Sequence, residues 1–181
     1  SDKEESTYRS FYLSEFNKIN KSLHHLLVAF KHNNGILTDD EPLVIANSDQ
    51  FVEWNSNEVL YAFSTEGVDG GILTFQSTHP KWSYAKLDDN EWVCEVAEKQ
   101  PISTNATVGI YYYARGSDYV ACAEQMIKND IRTNNEFYVC PVYNELIGNG
   151  GNVRIKNIDR MWGLGTPEDL QNFMSNYEGA Y

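Results

Sequence analysis

The chain has 181 residues, 41% hydrophobic and 22% charged, the balance of a globular domain large enough to bury one core. Its net charge is −12 and its pI about 4.6, and no run of Lys and Arg breaks the acidity, which counts against nucleic acid and anionic membranes as partners. No apolar stretch approaches the roughly 18 residues of a membrane span, and the amino terminus is acidic and polar, unlike a signal peptide, so the expected location is cytoplasmic. The three cysteines, Cys94, Cys122 and Cys140, are odd in number and far apart, and read as buried thiols rather than a disulfide framework or zinc knuckle.

In chain order, residues 1–8 read as a frayed terminus and 8–19 as a loose helical pattern. Ser22 is a plausible cap for a helix whose Leu23, Leu26, Leu27 and Phe30 form one stripe, ended by Asn33-Asn34-Gly35. Residues 42–47 (PLVIAN) form a continuous apolar run, predicted to be a strand covered on both faces, stopping at Ser48-Asp49-Gln50. A short helix is predicted over 57–64 and a strand over 72–75 behind Gly70-Gly71. Strands at 84–87 and 92–97 flank Asp88-Asp89-Asn90, which is hairpin-turn chemistry.

Residues 106–113 (ATVGIYYY) are the strongest strand signal, rich in β-branched and aromatic side chains. A helix is predicted from a Ser117 cap to Asp130, and another over 137–147 with Pro141 in its first turn or at a kink. A turn at 148–151 and a strand at 153–156 follow. Thr166-Pro167-Glu168-Asp169 has a Thr cap, Pro at the first helical position and acids against the dipole. Alternating strands and helices with an inserted hairpin predict one α/β domain, with a mostly parallel layered sheet flanked by helices.

Several residues could carry chemistry. Asp49 follows a buried strand, where open α/β sheets place ligands, and a carboxylate there suits Mg²⁺ bound to phosphates; a loop Asp in an Asx-turn fits the same pattern. Glu98-Lys99 could accept sugar hydroxyls and neutralise a phosphate if the strand ends there, as Pro101 allows; a surface ion couple is the alternative. Gly109 inside the strongest strand implies close approach of a ligand or another backbone. Gly163 and Gly165 form a tight turn before a helix, fit for an anion or for packing alone. His24, His25, His32 and His79 make no metal pattern, and no P-loop, G-x-S-x-G or H-E-x-x-H motif occurs.

The ordered runs LVIANSDQ, EVAEKQPIS, ATVGIYYYARGSDYV, NNEFYVCPVYNELI and MWGLGTPEDLQNF, spread over about residues 38–174, resemble the sugar-phosphate nucleotidyltransferases related to glucose-1-phosphate thymidylyltransferase. The likeness is nearest to the branch serving capsule and surface-polysaccharide synthesis, including cytidylyltransferase-like members. It implies a truncated Rossmann-like nucleotidyltransferase fold and transfer of a nucleotidyl group from an NTP to a sugar 1-phosphate, with Mg²⁺ and pyrophosphate release. By that resemblance Asp49 is the catalytic metal-binding carboxylate, and Glu98 and Lys99 contact sugar hydroxyls and phosphate. Thr107, Val108 and Gly109 lie beside the sugar, Tyr84 and Ala85 bring backbone to the ligand, and Glu136 faces the sugar.

The sequence departs from the family pattern in two ways. Gly163 stands where many members have a second metal-binding aspartate. The Gly-rich loop that cradles the triphosphate is not found before Asp49, and Ser22 to Phe30 takes the place of the segment expected near the base pocket. The chain is thus expected to be a fragment or a short homologue with weak or no turnover alone. The alternative is a non-catalytic sugar-phosphate-binding or subunit-contact module, and exposed sheet edges make a homodimer an expectation.

Overall fold

A computed structural model describes residues 40–177; the helices expected at 8–19 and after Ser22, with His24, His25 and His32, lie outside the described residues. The strands are β1 (Leu43–Ala46), β2 (Gln50–Glu53), β3 (Gly70–Gln76), β4 (Ser83–Leu87), β5 (Val93–Glu98), β6 (Asn105–Tyr113), β7 (Val153–Asn157) and β8 (Arg160–Gly163). The helices are α1 (Ser56–Thr65), α2 (Gly116–Lys128), α3 (Val142–Gly148) and α4 (Pro167–Asn176).

The α/β class holds, but the mostly parallel sheet does not. The main sheet runs β5-β4-β6-β3-β7 with β1 also on β6, and only the β3–β7 pair is parallel among the described residues. The reason is strand placement. Only β4 and β5 form a hairpin; β6 inserts between β3 and β4 and runs antiparallel to both, so β3 and β4 share one direction without being neighbours. β7 joins β3 in parallel after the crossover through α2 and α3.

The tyrosines of β6 show the period of two. Tyr111 and Tyr113 face the α2–α3 side, where Tyr113 stacks on Tyr143 at 4.6 Å and packs with Tyr119 and Met126. Tyr112 faces the other side and stacks on Phe63 of α1 at 5.4 Å. The buried Tyr143 hydroxyl points at the carbonyls of Gly71 and Tyr112, 2.9 and 2.8 Å away, so its polar tip is satisfied.

Four expectations need correction. β1 is not covered on both faces: Leu43 and Ile45 are buried, whereas Val44 is 42% exposed. Ser117 does not cap α2; Arg115 takes the cap position and the Ser117 hydroxyl points to Asp40 instead. The helix expected over 137–147 begins only at Val142, with Pro141 at its cap. Proline has no N–H and biases the preceding residue away from helical geometry, so 137–140 run irregularly while Phe137 and Cys140 are still buried. Cys94 is exposed, unlike Cys122 and Cys140. By contrast, Thr166 caps α4 as expected, accepting from the Asp169 N–H at 3.1 Å.

β5 ends the described sheet, and a side chain covers its free edge. Asn144 of α3 donates to the Val96 carbonyl and accepts from the Val96 N–H, both at 2.9 Å, as a neighbouring strand would. Asn144→Ala would orphan both groups and is expected to cost about 2 kcal/mol, read as a lower denaturant midpoint. An unchanged midpoint would show that water replaces the amide.

Candidate functional site

The site arises where β6 changes partners. Its first half meets β4 at Tyr84↔Ala106, and its last four residues pair with β1, from Ala46↔Ile110 to Leu43↔Tyr113. Residues 107–109 lie between these contacts, a break of the kind that opens a crevice beside a sheet. On the other side, β3 advances from Ile72 to Thr74 while β6 runs from Tyr111 back to Thr107, so β6 bulges here. Gly109 sits in the bulge at φ +74°, and its carbonyl accepts from the Asn47 N–H at 2.8 Å. A Cβ at Gly109 would lie 2.6 Å from Asn47 Cγ. The close approach expected at this glycine is therefore that of a side chain of this chain.

β2 and β8 form a separate antiparallel ribbon that carries the opposite wall. The Leu164 N–H donates to the Asp49 carbonyl at 2.7 Å, closing the ribbon's end. A Cβ on Gly165 would come within 2.8 Å of Asp49 Oδ2, so the small residue leaves space for that carboxylate.

Between the walls lies a cavity of about 540 Å³. Asp49, Glu98, Lys99, Thr107, Val108 and Gly109 all line it. Tyr84 and Ala85 do not: both are fully buried, the Tyr84 hydroxyl donates to the His79 carbonyl at 2.7 Å, and the Ala85 carbonyl accepts from Ser103 Oγ and Asn105 Nδ2. The Tyr84 side chain is thus committed to the turn at His79, and the Ala85 carbonyl to the side chains of Ser103 and Asn105. Glu136 is not in the lining either; its carboxylate accepts from the Tyr138 hydroxyl at 2.8 Å.

Further lining residues were not singled out from the sequence. Ser83 lies opposite Glu98 in the β4–β5 hairpin and its hydroxyl donates to the Glu98 carboxylate. Thr107 Oγ1 and the Tyr111 hydroxyl are 3.0 Å apart, so a hydroxyl-bearing surface adjoins that carboxylate. Trp82 contributes an aromatic wall, with Lys81 Nζ 4.5 Å from its ring centroid. Lys81 also stands 3.6 Å from Asp169. Gln50 Nε2 is buried and finds no hydrogen-bond partner among the described residues. The Asp88-Asp89-Asn90 turn sets Leu87 against Val93, and it is the register shift between Lys86 and Leu87 that brings Ser83 opposite Glu98 rather than Ala97, which the turn residues do not announce; no sequence signal announced β2 or β8.

Asp169 bears on the second carboxylate thought lost at Gly163. A Cβ on Gly163 would lie 3.5 Å from Asp169 Cγ, and both residues line the cavity. Among the described residues no three or more His, Cys, Asp or Glu form a group that could hold a metal. The donor chemistry of Asp49 and Asp169 fits an ion that arrives with phosphates and needs one or two carboxylates, not a preformed cage.

Burial raises the Glu98 pKa above its ordinary 4.5, opposed by the Ser83 hydrogen bond and the Lys99 charge. A carboxyl raised in the folded state holds its proton longer than in the unfolded chain. Its contribution to stability is therefore greatest below pH 4.5 and declines as pH rises through the folded value. Wild type is expected to lose stability relative to Glu98→Gln from pH 4.5 upward, measured by denaturant melts of both proteins. Parallel curves would contradict the burial argument.

Two solved structures share this fold. A nucleoside-diphosphate-sugar pyrophosphorylase from Vibrio cholerae RC9 superposes with a TM-score of 0.71 at 24% identity, covering 84% of this chain and 64% of that one. A structure described as a glucose-1-phosphate thymidylyltransferase from Bacillus anthracis, in complex with a sucrose, gives 0.64 at 16% identity, covering 87% and 62%. The fold is that of sugar nucleotidyltransferases. The chain spans less than two thirds of the length of either. No protein-family model matches the sequence, and no curated protein matches it. No helix among the described residues is long and apolar enough to cross a membrane.

Proposed function

We propose that the cavity binds a phosphorylated sugar and belongs to a nucleotidyltransferase site. The observation that carries this reading is the joining of Asp49, Glu98 and Lys99 in one cavity at the break in β6. In the proposed reaction an oxygen of the sugar phosphate forms a bond to the α-phosphorus of an NTP. The bond from that phosphorus to the bridging oxygen breaks, and pyrophosphate leaves.

The roles follow from chemistry. Glu98, an acceptor with Ser83 holding part of its capacity, would orient vicinal hydroxyls. Lys99 would meet the phosphate as a point charge. Thr107 and Tyr111 offer hydroxyls, and Trp82 an apolar face for a sugar ring. Mg²⁺ held by Asp49, with Asp169 beside Gly163, would neutralise phosphate charge. The finer assignment to surface-polysaccharide synthesis rests on the sequence runs from LVIANSDQ to MWGLGTPEDLQNF.

Titration calorimetry of this chain with glucose 1-phosphate, glucose and inorganic phosphate tests the site. The sugar phosphate is expected to bind more tightly than either half. Equal or absent binding of all three would end the proposal. Pyrophosphate release from NTP and a sugar 1-phosphate is expected to be weak or absent for these 181 residues, which contain no Gly-rich triphosphate loop. Brisk release would show that the described residues and their flanks grip the triphosphate by other means.

A further inference from the structure

Lys99 is held at both ends. Its backbone is in the left-handed region, φ +56°, which a side-chain-bearing residue adopts only when its surroundings enforce it. The Lys99 N–H donates to the Trp82 carbonyl at 3.0 Å, fixing that end beside the cavity. At the other end, Nζ donates to the Tyr138 hydroxyl at 2.7 Å and lies 4.7 Å from the Tyr138 ring centroid.

The direction of this chain is determined. An ammonium can only donate, and a phenol has one proton. Tyr138 therefore accepts from Lys99 and donates its own proton to Glu136 Oε2, at 2.8 Å. Glu136 is itself placed by a tight turn: Asn134 and Asn135 both have positive φ, and Thr133 and Glu136 exchange backbone hydrogen bonds of 3.0 and 2.9 Å. Asparagine is among the few residues that tolerate that geometry. The segment 133–138 is thus shaped to present an oriented hydroxyl to one lysine.

We infer that Tyr138, oriented by Glu136, is a positioning residue that aims the Lys99 ammonium at the phosphate of a bound sugar phosphate. One of the three N–H groups goes to Tyr138 and two remain for the ligand. Glu136 then acts through Tyr138 on the phosphate end, rather than on the sugar. This rests on the phosphate-binding reading of Lys99 above.

The test is a double-mutant cycle read by calorimetry with glucose 1-phosphate: wild type, Tyr138→Phe, Lys99→Met and the pair. Tyr138→Phe keeps the ring and loses only the hydroxyl. It is expected to weaken binding roughly tenfold, the lower end of the scale of a charge-assisted hydrogen bond, with an unchanged melting temperature. In the Lys99→Met background the same change is expected to do nothing. Wild-type affinity in Tyr138→Phe, or an equal loss with and without Lys99, would overturn the inference. If Lys99→Met itself binds like wild type, the phosphate reading falls, and this inference with it. A ligand-free readout is the acylation rate of Lys99 by an amine reagent, followed by mass spectrometry. It should rise in Tyr138→Phe, and an unchanged rate would also count against the hydrogen-bonded hold.

Discussion

Gly109→Ala is expected to destabilise the protein by about 3 kcal/mol, from backbone strain of about 1–2 kcal/mol plus overpacking of about 1–3 kcal/mol. The first contribution comes from φ +74°, where a Cβ crowds the following carbonyl. The second comes from Asn47, whose Cγ would stand 2.6 Å from the new methyl. Asn47 is exposed and its amide can turn aside, but its Cβ would still stand 3.2 Å from the new methyl while its N–H stays bound to the Gly109 carbonyl. The remaining contact presses Asn47, which lines the cavity, away from β6. A denaturant melt should show the lower midpoint, and sugar-phosphate affinity should fall with it. Wild-type stability would mean the β6 bulge relaxes freely. Asn47→Gly combined with Gly109→Ala separates the two causes: the steric part should return and the φ part should not.

That glycine also shows how far the sequence can be read. A Gly inside ATVGIYYY signalled a disturbance in a strand, but not that β6 leaves β4 and takes up β1 at that point. The hairpin, the β6 strand and the Thr166 cap depend on local chemistry and were legible. The sheet's orientation was not: it depends on β6 inserting between β3 and β4, antiparallel to both, and no local pattern tells which strands become neighbours. The ribbon of β2 and β8 was invisible because QFVE and RMWG are four residues each and separated by over a hundred positions. Their pairing sets Gly163 opposite Gln50, so that Gly163 and Asp169, already neighbours across the β8–α4 turn, line the same cavity as Asp49. Tyr84 and Ala85 do not line the cavity, for the opposite reason. They fit the resemblance by position, but full burial commits the Tyr84 side chain and the Ala85 carbonyl to the protein itself.

Glu98→Ala is expected to weaken glucose 1-phosphate binding by roughly 100-fold, the equivalent of two hydrogen bonds to a charged acceptor at about 1.5 kcal/mol each or slightly less. Glu98 is the right place for such a loss because partial burial already reduces its solvation, which also pushes its pKa up. A desolvated acceptor gives up less water when a hydroxyl arrives, so the exchange favours the ligand. The Ser83 hydroxyl keeps the carboxylate oriented before binding. The same variant should leave inorganic phosphate affinity within about twofold, since Lys99 and its Tyr138 contact are untouched. Loss of both ligands together would point to a collapsed cavity, which the melting curve would reveal. Loss of neither would mean that the carboxylate at the end of β5 faces the cavity without reading what enters it, and the sugar half of the proposal would then have no residue to rest on.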